Sequence, residues 1–350
     1  MTEVPKAFQP HPRSVHDLLF APGSRGVLIA TSRDPDAKRT LIVTPPPGSY
    51  PDGPAGPVAI KIPVTVAAAS AISRETRMLM ALGEAKLGGL EPTVPRYLET
   101  LDSDGLPAVV TTVLKGAPMS VAYHRWLHTS RQQPVAKDFA LAGGWLRHFQ
   151  RATPGDRGRI TWAREVGDYV RSRWPGHPRL EAAQVRLAAA DHQLKSHRTA
   201  RTMVHGDYWF GNLLVDSGRI TGVVDWESGA RAGWPLRDLV RFALSYCLYL
   251  DRHTRPGHPV RGHRGLRRTG FGAGIRYGLL EEGWLPDLVR LYLRTGIDGL
   301  GLPSALWYAA ALAGLGEIAA TANDDEFAAQ HLELLADLPY WPLADDLPRS

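Results

Sequence analysis

Three polar side chains stand close enough in the sequence to share one piece of chemistry. Asp207 lies in His205-Gly-Asp207, Asn212 follows five residues later, and Asp225 lies eighteen residues beyond Asp207, at the end of the apolar run 220–224. A turn at Asp216-Ser-Gly218 folds the intervening chain into a hairpin, setting two carboxylates and an amide across from one another. Phosphoryl transfer from a nucleotide needs that set. Its transition state spreads charge over phosphate oxygens and is stabilised by positioned metal ions, while one carboxylate takes the proton of the attacking hydroxyl. Asp207 suits the base. Asn212 and Asp225 offer hard oxygen ligands of the type Mg2+ prefers, a cation that needs only one or two protein groups beside phosphates. An isolated His-Gly-Asp has a simpler reading, because Asp and Asn also stabilise turns. The combination with an aspartate after a strand is what favours chemistry.

These residues need elements to hold them. Runs rich in β-branched residues, 27–31, 39–43, 58–62 and 108–113, predict strands in the first third of the chain, with turn residues at 34–36 and 102–105. Between the second and third runs, residues 45–57 contain nine Pro or Gly in thirteen positions, which predicts a protruding loop. One helix is predicted among the strands, over 67–82, from Ile72, Glu75, Leu79 and Leu82 at spacings of three and four, with Gly83 as its stop. After Lys115-Gly116 the period becomes helical: Phe139, Ala142, Trp145, Leu146 and Phe149 share a face, as do Leu180, Ala183, Leu187 and Leu194. Strand patterns return at 203–204, 213–215 and 220–224, and helical ones resume over 234–250, 272–282, 285–295, 304–321 and 325–336.

HGDYWFGN at 205–212, followed by VVDW at 223–226, resembles the catalytic loop and metal-binding strand of the aminoglycoside phosphotransferase family, a branch of the protein-kinase-like fold. The resemblance implies an α+β, bilobal protein-kinase-like architecture. A small antiparallel β-sheet N-lobe with one helix, residues 1–113, would bind nucleotide, and a larger, mainly α-helical C-lobe, residues 114–350, would carry catalysis and acceptor binding. It implies a kinase using ATP or GTP and Mg2+, with Asp207 as catalytic base, Asn212 and Asp225 on the metal, and His205 bracing the loop. Upstream, Val58-Ala-Ile-Lys61 is similar to the strand whose lysine contacts nucleotide phosphates, and Glu75, fourteen residues later, to its ion-pair partner. Residues 108–114 would be the last strand of the small lobe and the hinge. The resemblance runs from about Ser14 to Leu250. It departs from the kinase pattern in lacking Gly-x-Gly-x-x-Gly over the phosphates. The nearest loop, 21–26, offers its amides, the Ser24 hydroxyl and Gly26 for that purpose, and an ordinary hairpin turn explains it equally. Lys61 also admits a solvated edge-strand reading. For Trp209, Phe210 and Trp226, core packing is preferred over substrate stacking, and Asp238 reads as a structural anchor.

Composition narrows the remainder. The net charge of +6 is spread over 350 residues, which reads as solubility rather than nucleic-acid binding. The single cysteine, Cys247, lies in an apolar run and reads as a buried thiol in a reducing compartment. No stretch has signal-peptide or membrane-span character, so a cytoplasmic protein without a membrane partner is expected. Residues 252–268 carry six arginines, three histidines and no acid, and read either as a solvated loop or as a rim for an anionic acceptor. Residues 317–350 carry eight acids against one arginine, which leaves an acidic pocket wall as the opposite reading. The expected partners are a nucleotide and a small hydroxylated acceptor. The leading acceptor is a sugar-containing antibiotic, inactivated by O-phosphorylation. A metabolic kinase for a choline-, homoserine- or sugar-type acceptor is the alternative, and a non-catalytic nucleotide-binding scaffold a further one.

Overall fold

A computed structural model describes residues 13–31, 37–50 and 56–339. The predicted turn at 34–36 lies outside the described residues, as does the middle of the predicted loop at 45–57. By its contacts the chain forms two compact units, Met1–Ala117 with Leu214–Arg231, and Pro118–Leu213 with Ala232–Ser350.

The first unit is built on a five-stranded antiparallel sheet. Its strands are β1 (Arg25–Thr31), β2 (Lys38–Thr44), β3 (Val58–Pro63), β4 (Tyr97–Ser103) and β5 (Leu106–Thr112), in the order β1-β2-β3-β5-β4. Strand alternation decides which way β3 points its residues. Val58 and Ile60 are fully buried and join Val43, Leu101, Ala108 and Val110 in one apolar cluster, whereas Lys61 faces away from it. Among the described residues this unit has the α-helices α1 (Val15–Leu19), short and opened by a Ser14/Asp17 capping box, and α2 (Val66–Glu84), capped by Thr65. Gly83 does not stop α2, which runs through it and ends when Ala85 turns extended. The strand β4 has no predicted counterpart, because Glu99, Thr100 and Asp102 break the apolar pattern. Pairing with β5 across the turn at Asp104-Gly105 holds it in the sheet. The hairpin of Leu213–Asp216 and Arg219–Val223 turns at Ser217 and Gly218, with φ of 49° and 75°, the left-handed pair that a two-residue hairpin turn requires.

The second unit is mainly helical, with helices over Gln132–Ala152, Trp162–Arg173, Leu180–Leu194, Leu236–Leu248, Ala273–Leu280, Trp284–Asp298, Trp307–Thr321 and Asp325–Asp337. The α+β class, with a sheet in the N-terminal part and helices in the C-terminal part, is therefore as expected. Trp307–Thr321 is apolar apart from Glu317 and the terminal Thr321 and lies in the core, where Gly314 lets Val240 approach and Gly316 leaves room for Leu187. The strand Pro154–Arg159 and the helix Trp162–Arg173 were not predicted. The strand has almost no apolar residue and exists because it pairs with Arg198–Val204.

Both charged segments differ from their simplest readings. The arginine-rich one is not merely a solvated loop: it docks through Val260, Leu266 and His263, whose buried Nε2 is 2.7 Å from the Thr129 carbonyl. Of the acids of the C-terminal part, Glu317 is tied to Arg237, Asp325 to Arg173 at 2.6 Å and Asp337 to Arg276 at 3.2 Å, Asp324 caps a helix, and Glu326 and Glu333 are exposed. Asp345 and Asp346 lie outside the described residues. Cys247 is buried, which pushes its thiol up to about 12. Among the described residues, no helix is long and apolar enough to cross a membrane.

Burial lowers both His263 and His331 from 6.5 to about 4. Each therefore takes up a proton on unfolding as pH falls from about 6.5 to 4, and stability is lost across that window by about 1.4 kcal/mol per pH unit per histidine. Unfolding stability measured in urea should fall from pH 7 to pH 4.5, offset in part by Asp251, whose burial-raised carboxyl, at about 6, adds stability as pH falls, and His331→Phe should reduce the fall. An unchanged profile for His331→Phe would show that this ring is not held neutral.

Candidate active site

The strand Arg198–Val204 delivers the chain into the loop that begins at His205. Asp238, buried in the first turn of helix Leu236–Leu248, accepts the His205 amide at 2.7 Å and the Gly206 amide at 2.8 Å, one on each oxygen. Burial raises the Asp238 carboxyl above its ordinary value, although His205 and the two amides favour the anion. His205 is buried too, and its Nδ1 accepts from the Asp207 amide at 3.2 Å. Tyr208 and Phe210 are buried pegs on either side of this stretch: the Tyr208 hydroxyl donates to the Ala142 carbonyl, and Phe210 stacks on Tyr123 at 4.6 Å. The packing reading holds for Phe210 and for the fully buried Trp226. Trp209 instead lines a cavity of about 220 Å3 that Asp207 also lines.

Both carboxylate oxygens of Asp207 are held. Arg241, one helical turn after Asp238, donates Nε and Nη2 to Oδ1 at 3.0 and 2.7 Å. Asn212 donates Nδ2 to Oδ2 at 3.2 Å and to the Asp207 carbonyl at 3.0 Å. Those two bonds fix the amide of Asn212 and leave its carbonyl oxygen as the group available to a cation.

In the first unit the structure brings together Lys61, Glu75 and Asp225. Lys61 Nζ lies 2.6 and 2.7 Å from the two oxygens of Glu75, which is 2% exposed on α2, and 2.9 Å from Asp225 Oδ1. The solvated reading of Lys61 therefore fails. Lys38, at the start of β2, adds a bond to Asp225 Oδ1 at 3.2 Å and another to Glu227. Burial alone would raise Asp225, but the ammonium groups of Lys61 and Lys38 outweigh it and hold the carboxyl well below the usual range. The same balance raises Lys61 despite its burial, through Asp225 and Glu75. Glu227 is raised, by burial and by the negative charge of Asp225. Asp225 itself stands in the left-handed region, φ 69°, where the strand Arg219–Val223 gives way to a short 3-10 turn. Carboxylate oxygens of Glu75, Asp225 and Glu227 lie within 4.8 Å of one another. This donor set is all hard oxygen and fits Mg2+ rather than a soft metal.

Ser24 and Gly26 are placed apart from that cluster's bonds. The Ser24 hydroxyl donates to the Leu18 carbonyl at 2.8 Å, and Gly26 pairs with Val43 inside the sheet. Lys38, Arg241 and His331, the last also lining the cavity, have no counterpart in the motif. The signal available for Arg241 was its spacing of three from Asp238, which puts both on one helix face.

The sequence profile described as the phosphotransferase enzyme family matches residues 52–271, well over half of the chain. No curated protein matches the sequence. Among solved structures, a thermostable mutant of aminoglycoside phosphotransferase APH(4)-Ia in ternary complex with ADP and hygromycin B shares 10% identity at a TM-score of 0.55, covering 89% of this chain and 93% of that one. A second complex of that enzyme, with AMP-PNP and hygromycin B, shares 11% identity at a TM-score of 0.54, covering 89% and 92%. These likenesses are of fold.

Replacing Asp238 by Ala leaves the His205 and Gly206 amides buried without an acceptor, at about 1–3 kcal/mol each. Asp238→Ala should lower unfolding stability by about 2–5 kcal/mol, and Asp238→Asn, which retains one acceptor oxygen, by less. Chemical denaturation checks this, and equal losses for the two variants would remove the amide bonds as the cause.

Proposed function

The chain belongs to the phosphotransferase enzyme family, and from that premise we propose that it moves the γ-phosphoryl group of ATP or GTP to a hydroxyl of a small molecule. One observation carries this reading: the buried Lys61 ammonium, bonded to Glu75 and Asp225 at 2.6 and 2.9 Å, is a preformed cationic contact for phosphate oxygens. In this reading Glu75 orients Lys61, and Lys38 extends the same cationic edge. Ser24 and Gly26 have a smaller part, since the hydroxyl and amide protons of Ser24 are committed to the Leu18 and Ala21 carbonyls and Gly26 is paired with Val43. Asp225 and Asn212 would hold Mg2+, which when bound neutralises phosphate charge. Functionally, residues 1–113 serve the nucleotide and residues 114–350 the catalysis and the acceptor.

Asp207 is the base in this proposal. It takes the proton of the attacking hydroxyl as the new oxygen–phosphorus bond forms and the bond from the γ-phosphorus to its bridging oxygen breaks, releasing the nucleoside diphosphate. Arg241 and Asn212 grip opposite oxygens of the carboxylate, so its orientation is set before the acceptor arrives. A nucleotide donor is supported by the ADP and AMP-PNP held in the complexes of similar fold, and a sugar-containing antibiotic as acceptor by the hygromycin B beside them. A cytoplasmic location accords with a nucleoside triphosphate donor.

Asp207→Asn should lower turnover by about 10²–10⁴, the size expected of a lost general base, while binding of a fluorescent ATP analogue persists. Single-turnover phosphoryl transfer measures the first and titration the second. Unchanged turnover would remove Asp207 from the chemistry.

A further inference from the structure

The cavity beside Asp207 carries chemistry that the phosphoryl-transfer roles leave unused. Its walls are mostly aromatic and aliphatic, Trp209, Tyr249 and Phe327 with Leu244, Leu248 and Ile318, and the hydroxyl proton of Ser245 is committed to the Phe242 carbonyl at 3.0 Å. The ionised groups among its lining are Asp207 and Arg241, and these are bonded to each other. Of the acids that the sequence offered as a pocket wall, Glu317, Asp325 and Asp337 are engaged by arginines and Asp324 by a cap, and none of them, nor the exposed Glu326 and Glu333, is among the cavity's lining. A polyammonium acceptor would find no unpaired carboxylate among this lining.

His331 supplies the polar feature. Its ring is fully buried, with Phe327 at 4.3 Å and Phe271 at 4.9 Å between centroids. Nδ1 lies 2.8 Å from the Phe327 carbonyl, which can only accept, so Nδ1 carries the hydrogen and Nε2 is a bare lone pair. Nε2 is buried and has no partner. Burial, with Arg241 nearby, lowers the ring to about 4, so it remains uncharged at neutral pH. A buried acceptor without a donor is costly, and a ligand that brings an O–H or N–H would remove the cost.

We propose that this cavity is the acceptor subsite and selects an uncharged alcohol with an apolar ring face, which donates a hydrogen bond to His331 Nε2 while its reacting hydroxyl meets Asp207. This deepens the proposed function and rests on its reading of Asp207 as the base. The volume of about 220 Å3 lies below that of a drug-sized pocket, so it takes one ring of the acceptor rather than a whole large molecule.

The test uses the full chain with two kinds of probe: uncharged aryl glycosides, beginning with phenyl β-D-glucoside, and the polyammonium sugar kanamycin. In protein labelled with 15N at histidine, the pyridine-type Nε2 resonance of His331 should move toward lower frequency with the aryl glycosides and stay still with kanamycin. His331→Phe should weaken aryl glycoside binding about tenfold, the worth of one buried hydrogen bond. A resonance unmoved by every uncharged probe, or moved by kanamycin, overturns the subsite, and neither reading depends on the variant folding. Phosphoryl transfer is scored separately by 31P spectra. Transfer to kanamycin with His331 silent would sink this inference and leave the phosphotransferase reading intact. A moved His331 without transfer to any probe would show a pocket that does not present a hydroxyl to Asp207, and would overturn the acceptor subsite.

Discussion

An ammonium group on a strand whose neighbours pack into an apolar core persists only if carboxylates come to it. Removing one charge from water costs several kcal/mol even after relaxation, and a buried ion is tolerated when partners satisfy its hydrogens. Lys61 faces that demand on β3, and its two partners come from different places in the sequence: Glu75 from α2, fourteen residues on, and Asp225 from a hairpin 164 residues away. The demand explains why the first unit is discontinuous. Residues Leu214–Arg231 count with the N-terminal sheet, and the bonds that hold them there include Lys61 and Lys38 to Asp225, Lys38 to Glu227, the Trp226 amide to Glu75 at 3.3 Å, Thr221 to the Lys115 carbonyl at 2.6 Å, and Arg231 to Glu84 at 3.2 Å. The exposed Arg231 pair adds little, and the buried lysine cluster is the part that cannot be lost singly, because removing one partner strands the others.

A second economy operates in the helical unit. Helix Leu236–Leu248 presents Asp238 and Arg241 on one face, and the two do complementary work on one loop. Asp238 binds backbone and fixes the path of the chain at His205 and Gly206, while Arg241 binds the side chain of Asp207 and fixes its carboxylate. A base positioned in this way loses little freedom when an acceptor arrives, which is the advantage of orienting groups through rigid elements. Tyr208 and Phe210 lock the intervening residues by packing, so the loop has few ways to move its polar side chains independently.

How much of this was legible follows from which interactions are local. The pairing of Asn212 with Asp207 could be read because five residues of one tight loop convert sequence distance directly into proximity. Lys61 and Glu75 were reached through the motif rather than through physics. Strands such as β3 and β5 announce themselves in β-branched residues, whereas β4 and Pro154–Arg159 have composition that argues against a strand and are formed by pairing. Gly83 was misjudged because tertiary packing of α2 outweighs the roughly 1 kcal/mol that a helical glycine costs. Lys38 was invisible as a site residue because a lysine carries no mark of the carboxylate it will meet, and Arg241 was marked only by its spacing of three from Asp238.

Charge density along the sequence was the least reliable guide. The acids after residue 317 and the arginines of 252–268 suggested opposed surfaces, yet Glu317, Asp325 and Asp337 meet arginines from other helices, and the arginine-rich segment is pinned through His263. What remains beside Asp207 is an apolar cavity with one paired charge couple and one bare nitrogen. Recognition there depends on desolvation rather than on attraction between charges. An apolar pocket separates ligands differing by one methylene only modestly, but a buried acceptor that must be paired rejects a ligand lacking the donor much more strongly, since the unpaired group is left without water as well. Specificity at this site should therefore follow the presence of one hydroxyl or amide hydrogen on the acceptor more closely than its net charge or its size.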